Sequence, residues 1–522
     1  MMKKLSLCTL AVLAALPATM SAMAALPATM SAMAAETDSG MQLQQVLMLS
    51  RHNLRAPLAQ GGSLLEQSSD KKWPQWDVPG GELTTRGGVL EVYMGKYTHD
   101  WLVQQGVIKA NQCPDPNSVF VYANSLQRTV ATAQYFVTGA FPGCDVSVTH
   151  QDAMGTMDPV FNPIISNGSP EFAKAAVEAM QQQAKQTPLQ SAYNQLSAVS
   201  GYAASAECKG KEKCTLAATP NKFSIIKGKE PSVEGALKTG NALVDAFTLQ
   251  YYQGFPADQV AWGKVTTPEQ WQALSSIKSA YQNILFTTPA VAHDVAAPLV
   301  DYIRSQLIDQ DNNSAPAVTI MVGHDSNIAS LLASLKVKPY QLPDQYEQTP
   351  IGGQLVFERW HDKKNNKDLL KIEYVYQSTE QLRNAEDLSL SHPPKRVTLE
   401  LSGCPTDSNG YCSWQDFTHV MDDALQGTAM QPHMATDTSD TPAAADSQTP
   451  ANENNAAPAA TAAPQPSTPA VSAPATAPGS QHSPQRGNSS PATTSASSHD
   501  ASQGQGGSQG QSAGAGGQGN KP

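Results

Sequence analysis

The chain has 522 residues, of which 40% are hydrophobic and 15% are charged, and its formal net charge is −11. An acidic chain is poorly suited to contacts with the phosphate backbone of a nucleic acid, so we expect no nucleic-acid partner. No apolar run of about 18 residues follows the N-terminal segment, which argues against a polytopic membrane protein and stable membrane insertion. The low apolar and charged fractions indicate that part of the chain contributes no core.

Residues 1–34 have the pattern of a secretory signal peptide. Lys3 and Lys4 precede an apolar run that ends at Leu16, and this run is too short to span a bilayer. A ten-residue unit, Ala-Leu-Pro-Ala-Thr-Met-Ser-Ala-Met-Ala, occurs at 15–24 and again at 25–34. Both copies end in an Ala-x-Ala cleavage site. We therefore predict export, with either copy as the site of cleavage.

The C-terminal segment from 436 to 522 has no aromatic residue and a single large aliphatic residue, Val471. Ala, Pro, Ser, Thr, Gln and Gly dominate it, and such a composition cannot bury enough apolar area to offset chain entropy. We predict a disordered tail, either passive or used for surface interactions. The segment between the two ends, 35–435, has ordinary globular composition.

Six cysteines follow the signal sequence, and an even number in an exported chain suggests three disulfides. Fifteen pairings are possible, and the sequential one is attractive because two of its bonds close short loops rich in polar or turn-forming residues. A zinc site is the rival, but no Cys-x-x-Cys motif supports it. The sequential pairs are Cys113–Cys144, Cys208–Cys214 and Cys404–Cys412.

Three short apolar runs predict buried strands, and each is followed closely by basic or acidic side chains. In open α/β sheets, ligands bind beyond the carboxyl ends of the strands, so these side chains should converge at one edge. The runs are 44–50, 118–123 and 318–322, and the side chains after them are Arg51, His52, Arg55, Arg128, His324 and Asp325.

The remaining patterns complete an α/β architecture. Helices are predicted at 83–102, after 128 and after 327, and further strands at 372–377 and 396–401. The stretch from about 150 to 310 carries mostly helical patterns. The sequence therefore predicts a three-layer α/β sandwich with a central mixed sheet and a smaller, mostly helical lobe inserted at that stretch.

The converging residues suit chemistry at phosphorus. Arg51, Arg55 and Arg128 would repel one another unless an anion lay between them, and guanidinium groups match phosphate oxygens. His52 could attack phosphorus, and Asp325 could protonate the leaving oxygen. The plainer alternative is a set of solvated turn residues, since other His-Asp pairs occur in the chain at 99–100, 293–294 and 361–362.

Three motifs resemble those of histidine acid phosphatases and occur in the order of that family. Arg51-His52-x-x-Arg55-x-Pro57 resembles the first signature, and Gly323-His324-Asp325 resembles the second. Arg128-Thr129, with Thr132-Ala133, is similar to the middle arginine motif. The resemblance extends from about 41 to the 420s and is stronger to the glucose-1-phosphatase branch, in which Asn53 replaces the usual glycine.

This resemblance implies a phosphoglycerate-mutase-like fold and an exported, periplasmic acid phosphatase that needs no cofactor or metal. Its partner would be a small phosphate monoester, with glucose 1-phosphate favoured, and the rate would be highest at acid pH. Asn53 would narrow the pocket mouth or add a donor. The implied roles are nucleophile for His52, proton donor for Asp325, and substrate binding for Arg51, Arg55, Arg128, His324 and Glu230.

Several alternatives stay open on the sequence. A phytase of the same family would share the nucleophile and the acid. A phosphoglycerate mutase shares the Arg-His start but is usually cytoplasmic. A non-catalytic phosphate-ester binder would need the arginines but not His52. Oligomeric state, disulfide pairing and substrate preference are not fixed by these patterns.

Overall fold

The computed structural model describes residues 40–58, 63–310 and 314–430. The predicted signal peptide at 1–34 and the predicted tail at 436–522 lie outside the described residues. The strands are β1 (Met41–Arg51), β2 (Val119–Ala123), β3 (Val148–Thr149), β4 (Lys222–Ser224), β5 (Ser232–Glu234), β6 (Val318–Gly323), β7 (Gln354–Asp362), β8 (Lys367–Tyr376), β9 (Lys395–Leu399) and β10 (Cys412–Ser413).

Helices surround these strands and also form a separate lobe. None within the described ranges is long and apolar enough to cross a membrane. The α-helices are α1 (Leu64–Gln67), α2 (Thr85–Gln104), α3 (Gln127–Ala140), α4 (Pro170–Gln186), α5 (Gln190–Ser200), α6 (Ala236–Tyr252), α7 (Pro268–Gln282), α8 (Pro289–Val295), α9 (Ala297–Arg304), α10 (Asp325–Ser334), α11 (Thr379–Asn384) and α12 (Trp414–Leu425).

Eight strands form one mixed sheet in the order β10-β8-β7-β1-β6-β2-β3, and β9 also pairs with β8. Strand β1 is parallel to β6 and antiparallel to β7, while β2 is parallel to both β6 and β3. The register sets Arg51 opposite Gly323 and Ala123 opposite Val322. The carboxyl ends of β1, β6 and β2 therefore meet at one end of the sheet.

Both faces of the sheet are covered by helices, which explains the continuous apolar run in β1. Val46 packs in a cluster with residues of α2 and α3, such as Met94. Leu47 points to the opposite face and packs in a cluster with residues of α9, α10 and α12, such as Leu331 and Phe417. The predicted three-layer sandwich with a central mixed sheet is confirmed.

The helices α4 to α8 and the hairpin β4–β5 share a second core. Its members include Leu196, Phe247, Leu274 and Leu285, all of them buried. This helical lobe contacts the sheet through α10, which packs on α8. The loop between β4 and β5 belongs to the lobe, and it is one of the segments that reach the candidate site.

The six cysteines are joined in the sequential pairing that the loop composition favoured. The bonds are Cys113–Cys144, Cys208–Cys214 and Cys404–Cys412, with Cα atoms 5.4 to 5.6 Å apart. These separations are ordinary for disulfides. Two of the bonds close short loops, because they join cysteines that are only 6 and 8 positions apart in the sequence.

A buried pair of carboxyl groups lies on β7 and β8. Glu358 accepts hydrogen bonds from Arg396 at 3.1 Å and from the Trp360 indole at 2.8 Å, and Glu373 pairs with the same arginine. Burial and then the neighbouring Glu373 charge raise the pKa of Glu358 above its ordinary value of 4.5. The folded chain therefore keeps a proton that the unfolded chain loses as the pH rises above 4.5.

We expect Glu358→Gln to flatten the loss of stability with rising pH. The protonated Glu358 stabilises the fold fully below about pH 4.5, and this contribution falls by up to about 1.4 kcal/mol per pH unit until the raised pKa is passed. Chemical unfolding at about pH 5 and about pH 8 measures the change. Glu400→Gln, at a more exposed carboxylate, is the control, and parallel curves for wild type and Glu358→Gln would contradict the expectation.

Candidate active site

His52 follows the last residue of β1 and is 3% exposed. Its backbone N–H donates to the carbonyl of Gly323 at 2.9 Å, which ties it to β6. Its ring Nδ1 lies 2.8 Å from the carbonyl oxygen of Asn53. Because a carbonyl oxygen only accepts, Nδ1 carries the hydrogen and Nε2 keeps its lone pair. The ring is thus held in the tautomer that a nucleophile needs.

The surroundings keep this ring neutral. Burial lowers the pKa of His52 well below 6.5, and the positive charges of Arg128, Arg51 and Arg55 lower it further. A solvated histidine would be mostly protonated in acid, which would remove its lone pair. The buried His52 therefore stays available as a nucleophile at acid pH.

His324 is oriented by an amide whose own direction is fixed. Asn124 Oδ1 accepts hydrogen bonds from the backbone N–H groups of Ser125 and Asp158, each at 2.9 Å. Its Nδ2 must then donate to His324 Nε2, 2.7 Å away. The His324 proton consequently lies on Nδ1, which has no hydrogen-bond partner within the described residues. The ring centroid is 5.6 Å from that of His52, so the Nδ1–H donor of His324 belongs to a ring that lies beside the His52 ring.

Three guanidinium groups crowd the same space. Arg51 and Arg55 are each at most 1% exposed, and Arg128 is 7% exposed. Burial, followed by the charge of Arg55, lowers the pKa of Arg128 to about 9. Nε of Arg51 and Nε of Arg55 have no hydrogen-bond partner in the described part of the chain. These donors are left for a ligand, and an oxyanion would both accept hydrogen bonds from them and reduce the repulsion between Arg55 and Arg128.

A buried ion network holds two of these arginines from behind. Glu347 lies 3.2 Å from Arg51, and Asp245 of α6 lies 3.3 Å from Arg55. Lys278 of α7 joins the two carboxylates, with Nζ 2.7 Å from Asp245 and 2.5 Å from Glu347. Burial raises the pKa of Asp245, but the charges of Lys278 and Arg55 outweigh it and hold that pKa well below its usual range. The network fixes the orientation of the Arg51 and Arg55 guanidinium groups at the place where the helical lobe meets the sheet.

Replacing Lys278 with methionine is expected to destabilise the fold by about 3 to 5 kcal/mol, because a buried charge network loses its bridging cation. The uncompensated carboxylates should also weaken binding of inorganic phosphate. Chemical unfolding and calorimetric phosphate titration measure both effects. Lys338→Met removes a lysine that pairs with Glu400 in a more exposed position, and we expect it to cost no more than about 1 kcal/mol. Equal effects of the two variants would show that the network is dispensable.

Asp325 is the first residue of α10 and is 2% exposed. Its Oδ1 accepts the backbone N–H of Ser326 at 2.8 Å, and its Oδ2 lies 3.5 Å from Arg51. Glu230 lies in the loop between β4 and β5, close enough to Arg128 for its charge to favour the protonated guanidinium. The structure thus gathers the predicted residues from β1, α3, α10 and the helical lobe around one space.

Asn53 departs from the expectation that its side chain would narrow the pocket mouth or offer a donor. The residue is fully buried, and its Nδ2 donates to Glu91 Oε2 at 2.6 Å. Its Oδ1 accepts the backbone N–H of Leu54 at 2.8 Å. The amide is occupied by α2 and its own backbone, so it is turned away from the role that the sequence suggested.

Within the described ranges, no three His, Cys, Asp or Glu side chains are grouped so that they could hold a metal ion. The positive charge around the site comes from Arg51, Arg55 and Arg128. These groups are fixed on the sheet edge and α3, so their positions are set before a ligand arrives.

The family model described as histidine phosphatase superfamily (branch 2) matches residues 42–377, which contain every residue of this site. The chain belongs to this superfamily. As a branch 2 histidine phosphatase, it is 61% identical over 390 residues to a glucose-1-phosphatase of Salmonella typhimurium, with 75% of this chain and 94% of the relative covered. The predicted family and the prediction of a phosphatase enzyme are confirmed.

Of two further relatives, the glucose-1-phosphatase is more similar in sequence to this chain than the phytase is. A glucose-1-phosphatase of Providencia rettgeri is 53% identical over 395 residues, and a phytase of Escherichia coli is 33% identical over 410 residues. Each match covers 75% of this chain and 94% of the relative.

Solved structures agree with the histidine phosphatase fold. The phytase from Citrobacter braakii superposes with a TM-score of 0.68 at 33% identity, over 74% of this chain and 98% of that chain. The apo form of the Hafnia alvei phytase gives a TM-score of 0.68 at 31% identity, with the same coverage of both chains.

Proposed function

We propose that the chain is an exported acid phosphatase that hydrolyses phosphate monoesters, with glucose 1-phosphate as the preferred substrate. The observation that carries the proposal is the His52 ring: the Asn53 carbonyl holds its Nδ1 hydrogen, which leaves a lone pair on Nε2, and burial together with the charges of Arg128, Arg51 and Arg55 keeps the ring neutral. The substrate is inferred from the glucose-1-phosphatase relatives at 61% and 53% identity.

The first half of the reaction transfers the phosphoryl group to the enzyme. His52 Nε2 attacks phosphorus, and a P–N bond forms as the P–O bond to the sugar breaks. The protonated carboxyl of Asp325 gives its proton to the departing oxygen, which leaves as the sugar hydroxyl. The products of this step are a phosphohistidine, a free sugar and an Asp325 carboxylate.

The second half returns the enzyme to its starting state. The Asp325 carboxylate takes a proton from water as the water oxygen attacks phosphorus. The P–N bond breaks, inorganic phosphate leaves, and His52 regains its Nε2 lone pair. Arg55, Arg128 and the Nδ1–H of His324 hold the phosphoryl oxygens through both steps, because the negative charge of the transferred group is spread over those oxygens.

Purified protein should release phosphate from glucose 1-phosphate at acid pH in the presence of a chelator. Phytate and a generic aryl phosphate are run beside it, and the ratios of kcat/KM rank the three esters. Preference for glucose 1-phosphate supports the proposal. Equal or faster release of phosphate from phytate would indicate a phytase of the same family, and the proposed mechanism would still apply. No release from any ester, with phosphate still bound, would leave a binding protein.

The pH dependence follows from the histidine. Since the pKa of His52 is lowered well below 6.5, turnover should continue below pH 6.5 rather than fall at the ordinary histidine value. A rate maximum above neutral pH would count against the acid mechanism.

We infer export to the periplasm from the N-terminal sequence, and the three disulfides support an oxidising compartment.

A further inference from the structure

Helix α2 comes unusually close to the loop that carries the nucleophile. At Gly87 an added Cβ would lie 2.2 Å from the carbonyl oxygen of Leu54, so the helix backbone touches that loop directly. Glu91 is one turn further along the same helix and is fully buried. Its Oε2 accepts the hydrogen bond from Asn53 Nδ2 at 2.6 Å. A buried carboxyl with no place in the proposed chemistry thus contacts the neighbour of His52.

Asn53 is held at every polar group. Its backbone N–H donates to Thr132 Oγ1 at 3.0 Å, and its Oδ1 accepts the backbone N–H of Leu54 at 2.8 Å. Its Nδ2 is held by Glu91, and its carbonyl accepts the Nδ1–H of His52 at 2.8 Å. These contacts form a chain from α2 through Asn53 to the imidazole.

We propose that Glu91 is a positioning residue for the nucleophile: by holding the Asn53 amide, it fixes the carbonyl that keeps His52 in the tautomer with a bare Nε2. The inference rests on the proposed function of His52. Glu91 touches neither the substrate nor the reacting atoms, so it acts only through Asn53. A glycine at position 53 would have no amide to hold, and Glu91 would then have no route to His52.

The charge state of Glu91 suits this positioning role. Burial raises the pKa of Glu91 to about 8, so at acid pH it is a neutral carboxyl. A neutral group can accept the Asn53 hydrogen bond without an unpaired buried charge. Glutamine has nearly the same shape and also offers an acceptor oxygen, so it is the conservative substitute.

The first test compares kcat and KM in two variants. Glu91→Gln should keep kcat within about twofold of wild type, whereas Glu91→Ala should lower kcat by roughly 10- to 100-fold, as expected when a reacting group is misplaced. KM should change little, because the arginines are untouched. Thr98→Ala removes another buried polar side chain of α2 and is the control for helix packing. A loss of kcat in Thr98→Ala equal to that in Glu91→Ala would overturn the proposal.

A second test isolates the route through Asn53. In an Asn53→Gly background, Glu91→Ala should change kcat by less than about twofold, since the held amide is already gone. An undiminished effect of Glu91→Ala in that background would mean that Glu91 acts by packing alone, and the proposal would be wrong.

A third readout does not depend on turnover. The ¹⁵N spectrum of ring-labelled histidine should show one protonated and one bare nitrogen for His52 in wild type and in Glu91→Gln, identified by the signals lost in His52→Ala. In Glu91→Ala the two tautomers should mix. An unchanged tautomer in Glu91→Ala would refute the positioning role. If wild type hydrolyses no ester, the proposed function fails, while this spectrum still decides whether Glu91 orients the ring.

Discussion

Replacement of His52 by alanine is expected to lower kcat for glucose 1-phosphate by at least roughly 10⁴-fold, because it removes the nitrogen that forms the P–N bond in the proposed mechanism. Inorganic phosphate should still bind, since the three arginines and His324 remain. Steady-state kinetics and calorimetric titration measure the two effects. In wild type, rapid quenching during turnover should trap about one acid-labile phosphoryl group per chain, and none in the variant.

The matched control is His419→Ala, which removes an exposed histidine of α12. It should leave kcat within about twofold of wild type. Substantial turnover by His52→Ala, or a phosphoryl group that the variant still traps, would show that another residue is the nucleophile. The mechanism would then have to be rebuilt around that residue.

Asp325→Asn is expected to have an effect that depends on the leaving group. Hydrolysis of glucose 1-phosphate should slow by roughly 10²- to 10⁴-fold, because the sugar oxygen needs a proton as it departs. An aryl phosphate whose phenol is already acidic needs no such help in the transfer step. Its burst of phenol release in rapid-mixing experiments should therefore slow by less than about tenfold.

The same variant also puts an amide in place of the carboxyl oxygen that lies 3.5 Å from Arg51, which changes the electrostatics around that arginine. Affinity for inorganic phosphate, measured separately, accounts for that electrostatic change, so the comparison between leaving groups isolates proton donation. Equal slowing of both transfer steps would contradict the role of Asp325 as the acid and would leave it only the task of orienting Arg51.

The sheet was predictable where its strands are buried on both faces. Strands β1, β2 and β6 each contain a short apolar run, and they lie side by side in the order β1-β6-β2. Strand β7 was missed although it is the other neighbour of β1. Its apolar run is limited to Leu355, Val356 and Phe357, and its second half, from Arg359, is polar and only partly buried. A short apolar run followed by polar residues does not distinguish a strand from a loop.

The site residues also divide into those that could be predicted from the sequence and those that could not. Residues directly after strands were predictable, because the parallel pairing of β1, β6 and β2 brings those ends together. Asn124 follows β2 immediately and could have been found by the same argument. The partners Asp245, Lys278 and Glu347 could not, because they lie 33 and 69 residues apart in sequence and only the packing of lobe on sheet joins them.

The crowding of Arg51, Arg55 and Arg128 bears on what limits turnover in use. The charges of Arg55 and Arg51 lower the pKa of Arg128, and the product, inorganic phosphate, is an anion that the same guanidinium groups bind as they bind the ester. Product should therefore compete with fresh ester and raise the melting temperature at the same time. Catalysis would run fastest where free phosphate is scarce and slow as it accumulates, so the same electrostatics that recruit the ester would also restrain the enzyme.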